Sequence, residues 1–391
     1  MEAEFVYPDY GPASICGLAN GILKHYGLSP LHPVLDISDF VGKSERLLLF
    51  IVDGLGIENL KKLVKNRSFN IIGKVEWQRL TSTFPSTTAT AITTLSTGLT
   101  PIEHGIIGYI LYFKEFGTVA NAIEMCPIGG KRDMLLHMGL KPERFLQGET
   151  IFQKLSSAGV EVYSITHSRL VNTGFNRVIA QGAHQKGFYG LSDMCTTVLN
   201  IFKEKRCPVF VSVYWGLVDT MGHRYGADGE IYQREATLIL RTLEEELLPR
   251  LEEDVVMMIV SDHGQIPTSW EDEIWWSRED EIYRFLKILP TGEQRMMYLH
   301  SGDVKGLMEY LMNNYDQRLA LFTASEAVSK GLLGEGTPHP YVFDRMGDLI
   351  LVARKRFSFN FRYTGQEQSL GGRHGGLSRE EMIVPLIVLR R

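Results

Sequence analysis

The sequence predicts an α/β protein built on a buried, parallel-stranded sheet, and three observations carry that prediction. Apolar runs at 47–52, 209–214 and 255–260 have the length and Val/Ile/Leu content of strands covered on both faces. Helical patterns at 89–96, 150–158, 191–205 and 231–246 alternate with them, as in a sheet sandwiched by helices. The runs lead directly into polar residues and glycine: Asp53-Gly54, the stretch reaching Asp219, and Ser261-Asp262-His263-Gly264. In open α/β sheets, ligands collect at these carboxyl ends.

In chain order, residues 1–45, with several Gly and Pro, read as an N-terminal extension laid on the core. Residues 46–265 carry the alternating pattern, and a further apolar run at 383–389 closes the chain. Between them the texture changes. Trp270, Trp275 and Trp276 sit in an acidic stretch, followed by candidate strands at 295–300, 320–323 and 348–353 and a helical pattern at 304–314. This predicts an inserted α+β subdomain over 266–370, with 371–391 returning to the core. The tryptophans can either pack that subdomain's own core, which is the commoner use, or stack on a base or aryl group at a substrate entrance.

The chain has 391 residues, 44% of them hydrophobic and 22% charged, as expected of a globular protein able to bury a large core. Lys plus Arg total 41 against 46 Asp plus Glu, a formal charge of −5. The densest basic stretch, Lys203-Glu204-Lys205-Arg206, is interrupted by an acid, so no nucleic-acid surface is expected. No apolar run approaches the roughly 20 residues of a membrane span, and Met1-Glu2-Ala3-Glu4-Phe5 does not open a secretory signal. Cys16, Cys126, Cys195 and Cys207 are widely spaced, without a CxxC. A reducing, cytoplasmic location is the expectation. Oligomeric state is not written in the sequence.

Each polar residue at a strand end has an ordinary alternative. Asp53 could cap a helix, His374 in Gly-Gly-Arg-His-Gly-Gly could be plain loop, and an Asp219-x-x-x-His223 pair on one helix face often arises by chance. Together they present three carboxylates and three imidazoles at one sheet edge, enough for two adjacent divalent metals. Such a pair can clamp the attacking and leaving oxygens of a phosphoryl transfer. The run Thr81-Ser82-Thr83-Phe84-Pro85-Ser86-Thr87-Thr88 leads into a helical stretch. One of its hydroxyls would therefore stand at a helix N-terminus, where an alkoxide and a phosphate are both favoured.

On IVDGLG (51–56), TFPSTTATAITTLSTGLTPIEHGIIGY (83–109), VDTMGH (218–223), SDHG (261–264) and GGRHGG (371–376), the sequence resembles the alkaline phosphatase superfamily, most closely its type I phosphodiesterase/nucleotide pyrophosphatase branch. The resemblance implies an alkaline-phosphatase-like three-layer core around a central, mostly parallel sheet. It also implies two divalent ions, zinc foremost with manganese the alternative. Asp53, Asp262, His263 and the nucleophile would hold one metal; Asp219, His223 and His374 would hold the other. An ungapped count back from Thr97-Gly98-Leu99 places the nucleophile at Thr88, with Thr87 and Ser86 as alternatives. Where the family carries a phosphate-holding Asn, the same count lands on Tyr109, a substrate-binding candidate of different reach.

The implied function is metal-dependent hydrolysis of phosphate diesters or nucleotide pyrophosphates through a phosphothreonine. The partner would be a small phosphate ester or nucleotide. A phosphomonoesterase or phosphomutase of the same superfamily is the alternative, and it would need phosphate-gripping cations, for which Arg295, Lys305, Arg318, Arg345 and Arg373 are available. No Cys/Ser-x-Pro-x-Arg stands for a sulfatase. A binding protein that had lost a ligand or the nucleophile is disfavoured, because all are present.

Overall fold

The computed structural model describes residues 4–206 and 208–391; Met1–Ala3 and Cys207, both used above, lie outside the described residues. A seven-stranded sheet forms the core, in the order Gln78–Thr81, Ile383–Leu389, Val255–Val260, Arg46–Val52, Val209–Trp215, Glu161–His167, His184–Phe188. From Val255–Val260 to His184–Phe188 neighbouring strands are parallel. Ile383–Leu389 runs antiparallel beside Val255–Val260 and carries Gln78–Thr81 on its outer edge.

The continuous apolar runs form the centre of this sheet because both faces are covered. All seven residues of Arg46–Val52 are buried. Leu47, Leu49 and Ile51 feed one apolar core; Leu48, Phe50 and Val52 feed the other. Strand alternation thus supplies both layers from one segment, giving the predicted three-layer α/β core. Glu161–His167 mixes polar and apolar residues and buries them in adjacent pairs, so it lacks the continuous apolar run of the central strands.

Helix Thr88–Thr97 covers one face, with Thr87 extended at its entrance and Gly98 left-handed at its exit. Helix Ile15–His25 of the N-terminal stretch packs beside it, burying Ile15, Leu18, Ile22 and Leu23. Helix Leu217–Tyr225 follows directly on strand Val209–Trp215.

A second seven-stranded sheet has the order Leu319–Thr323, Leu349–Ala353, Met296–Leu299, Thr291–Glu293, Ile110–Phe113, Thr118–Asn121, Cys126–Pro127. Its strands therefore come both from 110–127 and from 291–353. Gly292 pairs with Ile110 where the two sets meet. Trp276, Met297, Leu307, Leu349 and Phe359 build a separate apolar core here. Trp276 is accordingly a packing residue, whereas Trp270 is 76% exposed. Among the described residues, no helix is long and apolar enough to cross a membrane.

Candidate active site

Register brings the motif residues together. In the three central strands Val52 pairs with Trp215 and Ile51 with Val260, so these strands end at one level. The chain then releases Asp53, the helix bearing Asp219, and Asp262-His263 at neighbouring points on one edge. Gly54 makes the close turn possible: its φ is +73°, and a Cβ there would lie 2.9 Å from the Asp219 backbone.

Two groups of potential ligands result: Asp53, Asp262 and His263, and Asp219, His263 and His374. In the first, His263 Nε2 lies 3.3 Å from Asp53 Oδ1 and 3.6 Å from Asp262 Oδ2. In the second, His374 Nε2 lies 3.7 Å from Asp219 Oδ1; His223 stands beside it, its Nε2 3.4 Å from Asp219 Oδ2 and 3.1 Å from His374 Nε2. The rings of His263 and His374 stack at 3.9 Å and join the two groups.

The chemistry of these donors fits cations. Asp53 Oδ1 and Asp262 Oδ2 are buried without a hydrogen-bond donor, an arrangement that is costly for carboxylates unless an ion satisfies them. Each imidazole is oriented through its other nitrogen: His223 Nδ1 toward Gly372 O at 2.8 Å, His374 Nδ1 toward Ser86 O at 3.0 Å, and His263 Nδ1 toward Gly264 O at 3.0 Å. A carbonyl at Nδ1 requires the proton there, which leaves all three Nε2 lone pairs for ligation. His104 is the contrast. Its Nδ1 accepts from Ile106 N and its Nε2 meets Thr94 Oγ1, the satisfied pattern of a structural turn.

Electrostatics agree. Burial, and then the charges of Asp262 and Asp219, hold the Asp53 carboxyl well above the usual range. Burial, and then the neighbouring His263 and His223, push His374 well below its usual value. Like charges crowded into one dry place favour the arrival of divalent cations.

The hydroxyls of the run point in different directions. Thr83 Oγ1 donates to Pro85 O, Ser86 Oγ to Gly376 O, and Thr87 Oγ1 to Glu293 Oε1. Thr88 Oγ1 alone of these faces the ligand groups, 3.1 Å from His263 Nε2 and 3.5 Å from Asp53 Oδ2. It is the first residue of its helix, directly after the extended Thr87.

A cleft of about 680 Å³ opens over the site, within the usual range for small-ligand sites of about 300–1,000 Å³. Tyr109 lines it together with Thr88. Four groups that contact or line the site were not singled out from the sequence. Tyr214 donates to Asp53 Oδ2; it was read only as the end of a strand. Gln265 Nε2 donates to Asp219 Oδ1 at 2.8 Å, and a Cβ on Gly222 would collide with its amide. Gln265 directly follows Ser261-Asp262-His263-Gly264, a position that offered a signal. Arg132 lines the cleft while chelated by Glu124 at 2.5 and 2.6 Å. Glu293 carried no motif signal at all. It is buried, with Oε1 accepting from Thr87 Oγ1 at 2.6 Å and Tyr109 N at 2.8 Å, and burial pushes its carboxyl up to about 8.

The cations considered for gripping a monoester lie elsewhere. Arg373, expected in a solvated loop, is 1% exposed and ion-paired with Glu273 at 2.6 Å. Arg295 is buried against Glu381, Arg345 against Glu115, Lys305 lies beside Glu309, and Arg318 sits over Phe357.

Residues 47–377 match the family described as type I phosphodiesterase / nucleotide pyrophosphatase. No curated protein sequence matches the chain. Among solved structures, murine ectonucleotide pyrophosphatase/phosphodiesterase 5 is similar at 16% identity and a TM-score of 0.61, covering 87% of each chain. Its inactive form in complex with AMP gives 16% identity and a TM-score of 0.62, again over 87% of each. Phosphonoacetate hydrolase from Sinorhizobium meliloti, in complex with phosphonoacetate, gives 18% identity and a TM-score of 0.65, covering 88% of this chain and 90% of the other.

Proposed function

We propose that this chain, which belongs to the type I phosphodiesterase / nucleotide pyrophosphatase family, hydrolyses small singly charged phosphate diesters or nucleotide pyrophosphates through a phosphothreonine at Thr88. The observation that carries this reading is the convergence of Thr88 Oγ1 with five potential metal ligands, and His223 beside them, at one edge of the sheet, while its neighbouring hydroxyls are turned away. Asp53, Asp262, His263 and Thr88 would hold one divalent ion, and Asp219, His223 and His374 the other. Imidazole donors favour zinc; the carboxylates also admit manganese. When bound, such ions polarise the phosphoryl oxygens and lower the pKa of a hydroxyl or water.

The chain's own residues account for the rest. Helix Thr88–Thr97 holds Thr88 Oγ1 at its positive end, aimed into the cleft. Oγ1 gives up its proton as it forms the bond to phosphorus, the bond to the leaving oxygen breaks in line and that oxygen takes up a proton, and water then cleaves the phosphothreonine, returning a proton to Thr88 Oγ1. The carbonyls of Gly372, Ser86 and Gly264 keep the three imidazoles in one tautomer throughout. Tyr109 lines the wall beside Thr88, a place suited to contacting the phosphoryl group.

Two divalent ions, three carboxylates and an alkoxide sum to about zero, a balance that accepts a singly charged diester. A dianionic monoester would gain from a free cation, and the candidate arginines are engaged with other partners. The phosphatase or mutase reading is weaker for that reason. We also propose a catalytic core of 46–265 and 371–391, an inserted unit of 266–370 that shares its sheet with the core's strands at 110–127, and an N-terminal extension of 1–45. A reducing, cytoplasmic compartment is supported by the free, buried Cys16, Cys126 and Cys195.

The test compares hydrolysis of bis-p-nitrophenyl phosphate and p-nitrophenyl phosphate by metal-replete protein, with Thr88→Ala and a chelator as controls. Faster diester turnover, abolished in both controls, is the expected result. Full activity in Thr88→Ala would remove Thr88 from the reaction, and faster monoester turnover would move the protein to the phosphatase reading.

A further inference from the structure

A threonine directly before a helix ordinarily caps it, its hydroxyl oxygen accepting from the backbone N–H two or three residues on. Thr87 stands in that place before helix Thr88–Thr97 and has the extended backbone of a cap, with φ −140° and ψ 147°. Its side chain nevertheless makes no hydrogen bond to the helix. The hydroxyl donates instead to Glu293 Oε1 at 2.6 Å. The first-turn amides of the helix that carries Thr88 are thereby left without a side-chain cap.

Glu293 is held firmly enough to do this. It is buried and ends strand Thr291–Glu293, which pairs with Met296–Leu299 on one side and meets Ile110 on the other. The same Oε1 accepts from Tyr109 N at 2.8 Å, so one oxygen ties the residue before Thr88 to the main chain of Tyr109. A third segment closes on its stem. Gly375, next to His374, has φ +114°, and a Cβ there would lie 2.6 Å from Glu293 Cβ, an approach that glycine alone permits. Oε1 accepts both bonds whether the carboxyl is ionised or neutral, since a proton can sit on Oε2.

We propose that Glu293 is a positioning residue for turnover, which draws the Thr87 hydroxyl off the helix N-terminus and so keeps the first-turn amides open to the phosphoryl oxygens. Through its second bond it also fixes the Tyr109 main chain relative to Thr87. Without the carboxyl, the Thr87 hydroxyl turns to the favoured capping bond and occupies an amide that the reaction uses. The proposal rests on the phosphodiesterase reading for the use of those amides, but not for the direction of the Thr87 side chain.

The experiment has two arms. In the first, metal-replete wild type, Glu293→Ala, Glu293→Gln and the double variant Glu293→Ala/Thr87→Val are assayed on bis-p-nitrophenyl phosphate. Glu293→Ala should lower kcat by on the order of 10²-fold, the scale of losing one donor to the developing charge, with a much smaller change in KM. Adding Thr87→Val removes the intruding hydroxyl and should win back about tenfold in kcat, whereas a merely structural role makes the two losses add. Glu293→Gln, whose amide oxygen accepts the same two bonds, should stay within about threefold of wild type. Should Glu293→Ala fail to fold, Glu293→Leu with and without Thr87→Val makes the same comparison. The second arm, a crystal structure of the alanine or leucine variant, needs no turnover. Thr87 Oγ1 should there accept from the backbone N–H of Ala89 or Thr90. Additive losses, a glutamine variant as slow as the alanine one, or an unmoved Thr87 side chain would overturn the proposal. If the wild type hydrolyses no phosphate diester, the phosphodiesterase reading fails while the structure still judges what Glu293 does to Thr87.

Discussion

The two proposed ligand groups are built from similar donors but by different means. Asp53, Asp262 and His263 leave the ends of adjacent parallel strands, and their side chains are 3%, 0% and 0% exposed. Asp219 and His223 ride on helix Leu217–Tyr225 and His374 on a returning loop, with exposures of 13%, 25% and 8%. The first group inherits its geometry from the sheet's register, so it is rigid and dry. The second depends on separate contacts to Gly372 O, Ser86 O and Gln265. A buried group made of like charges should need its ion absolutely, whereas a half-open one should exchange it with solvent.

Breaking the rigid group should have the largest effect. Asp262→Asn removes one of two orphaned carboxylates and should lower diester hydrolysis by on the order of 10³-fold, the upper end for losing one transition-state contact. Added metal should not restore it. Metal analysis should find one equivalent missing; two retained equivalents with normal turnover would show that the group is not a metal site.

His223→Ala should behave differently. Activity should fall at trace metal yet recover substantially at millimolar zinc or manganese, because the remaining ligands are accessible. A metal titration of kcat/KM checks this, and a loss that no metal concentration repairs would erase the distinction between the groups. Gln265→Ala leaves every ligand in place and frees only Asp219 Oδ1. Metal affinity should weaken about 10–100-fold, as for other outer-sphere partners, with kcat at saturating metal nearly unchanged. Competition with a fluorescent chelator measures that affinity, and wild-type affinity would mean the contact is incidental.

The smallest expected effect sharpens the comparison from outside the site. His339 is a buried histidine away from both groups, lowered to about 4 first by burial and then by Arg345. The unfolded chain takes up this proton near pH 6.5, so the neutral ring's contribution to stability is present above that pH and is lost as pH falls toward 4. His339→Gln should therefore flatten the decline of Tm between pH 6.5 and 4, by roughly 2 °C in a chain of this size. Parallel Tm profiles for the two proteins would mean that His339 does not contribute to acid sensitivity.

Much of the site was legible in the sequence because strand-end residues follow continuous apolar runs. Asp53 and Asp262-His263 are placed on an edge by the sequence alone. Glu293 could not, since it enters through the single pairing of Gly292 with Ile110, a contact between segments far apart in the chain. Arg373 stands in a Gly-rich motif that reads as exposed loop, yet it is buried and ion-paired with Glu273. Ile383–Leu389 has the same apolar texture as the parallel strands but runs antiparallel, because hydropathy carries no direction.

By itself, the sequence determined the α/β class, the family, and the number and kind of donors, since these follow from local pattern and residue type. Only the tertiary structure decided which donors lie together and which of three adjacent hydroxyls faces them. Those outcomes depend on register between distant strands and on the direction of each side chain, which residue order does not encode locally.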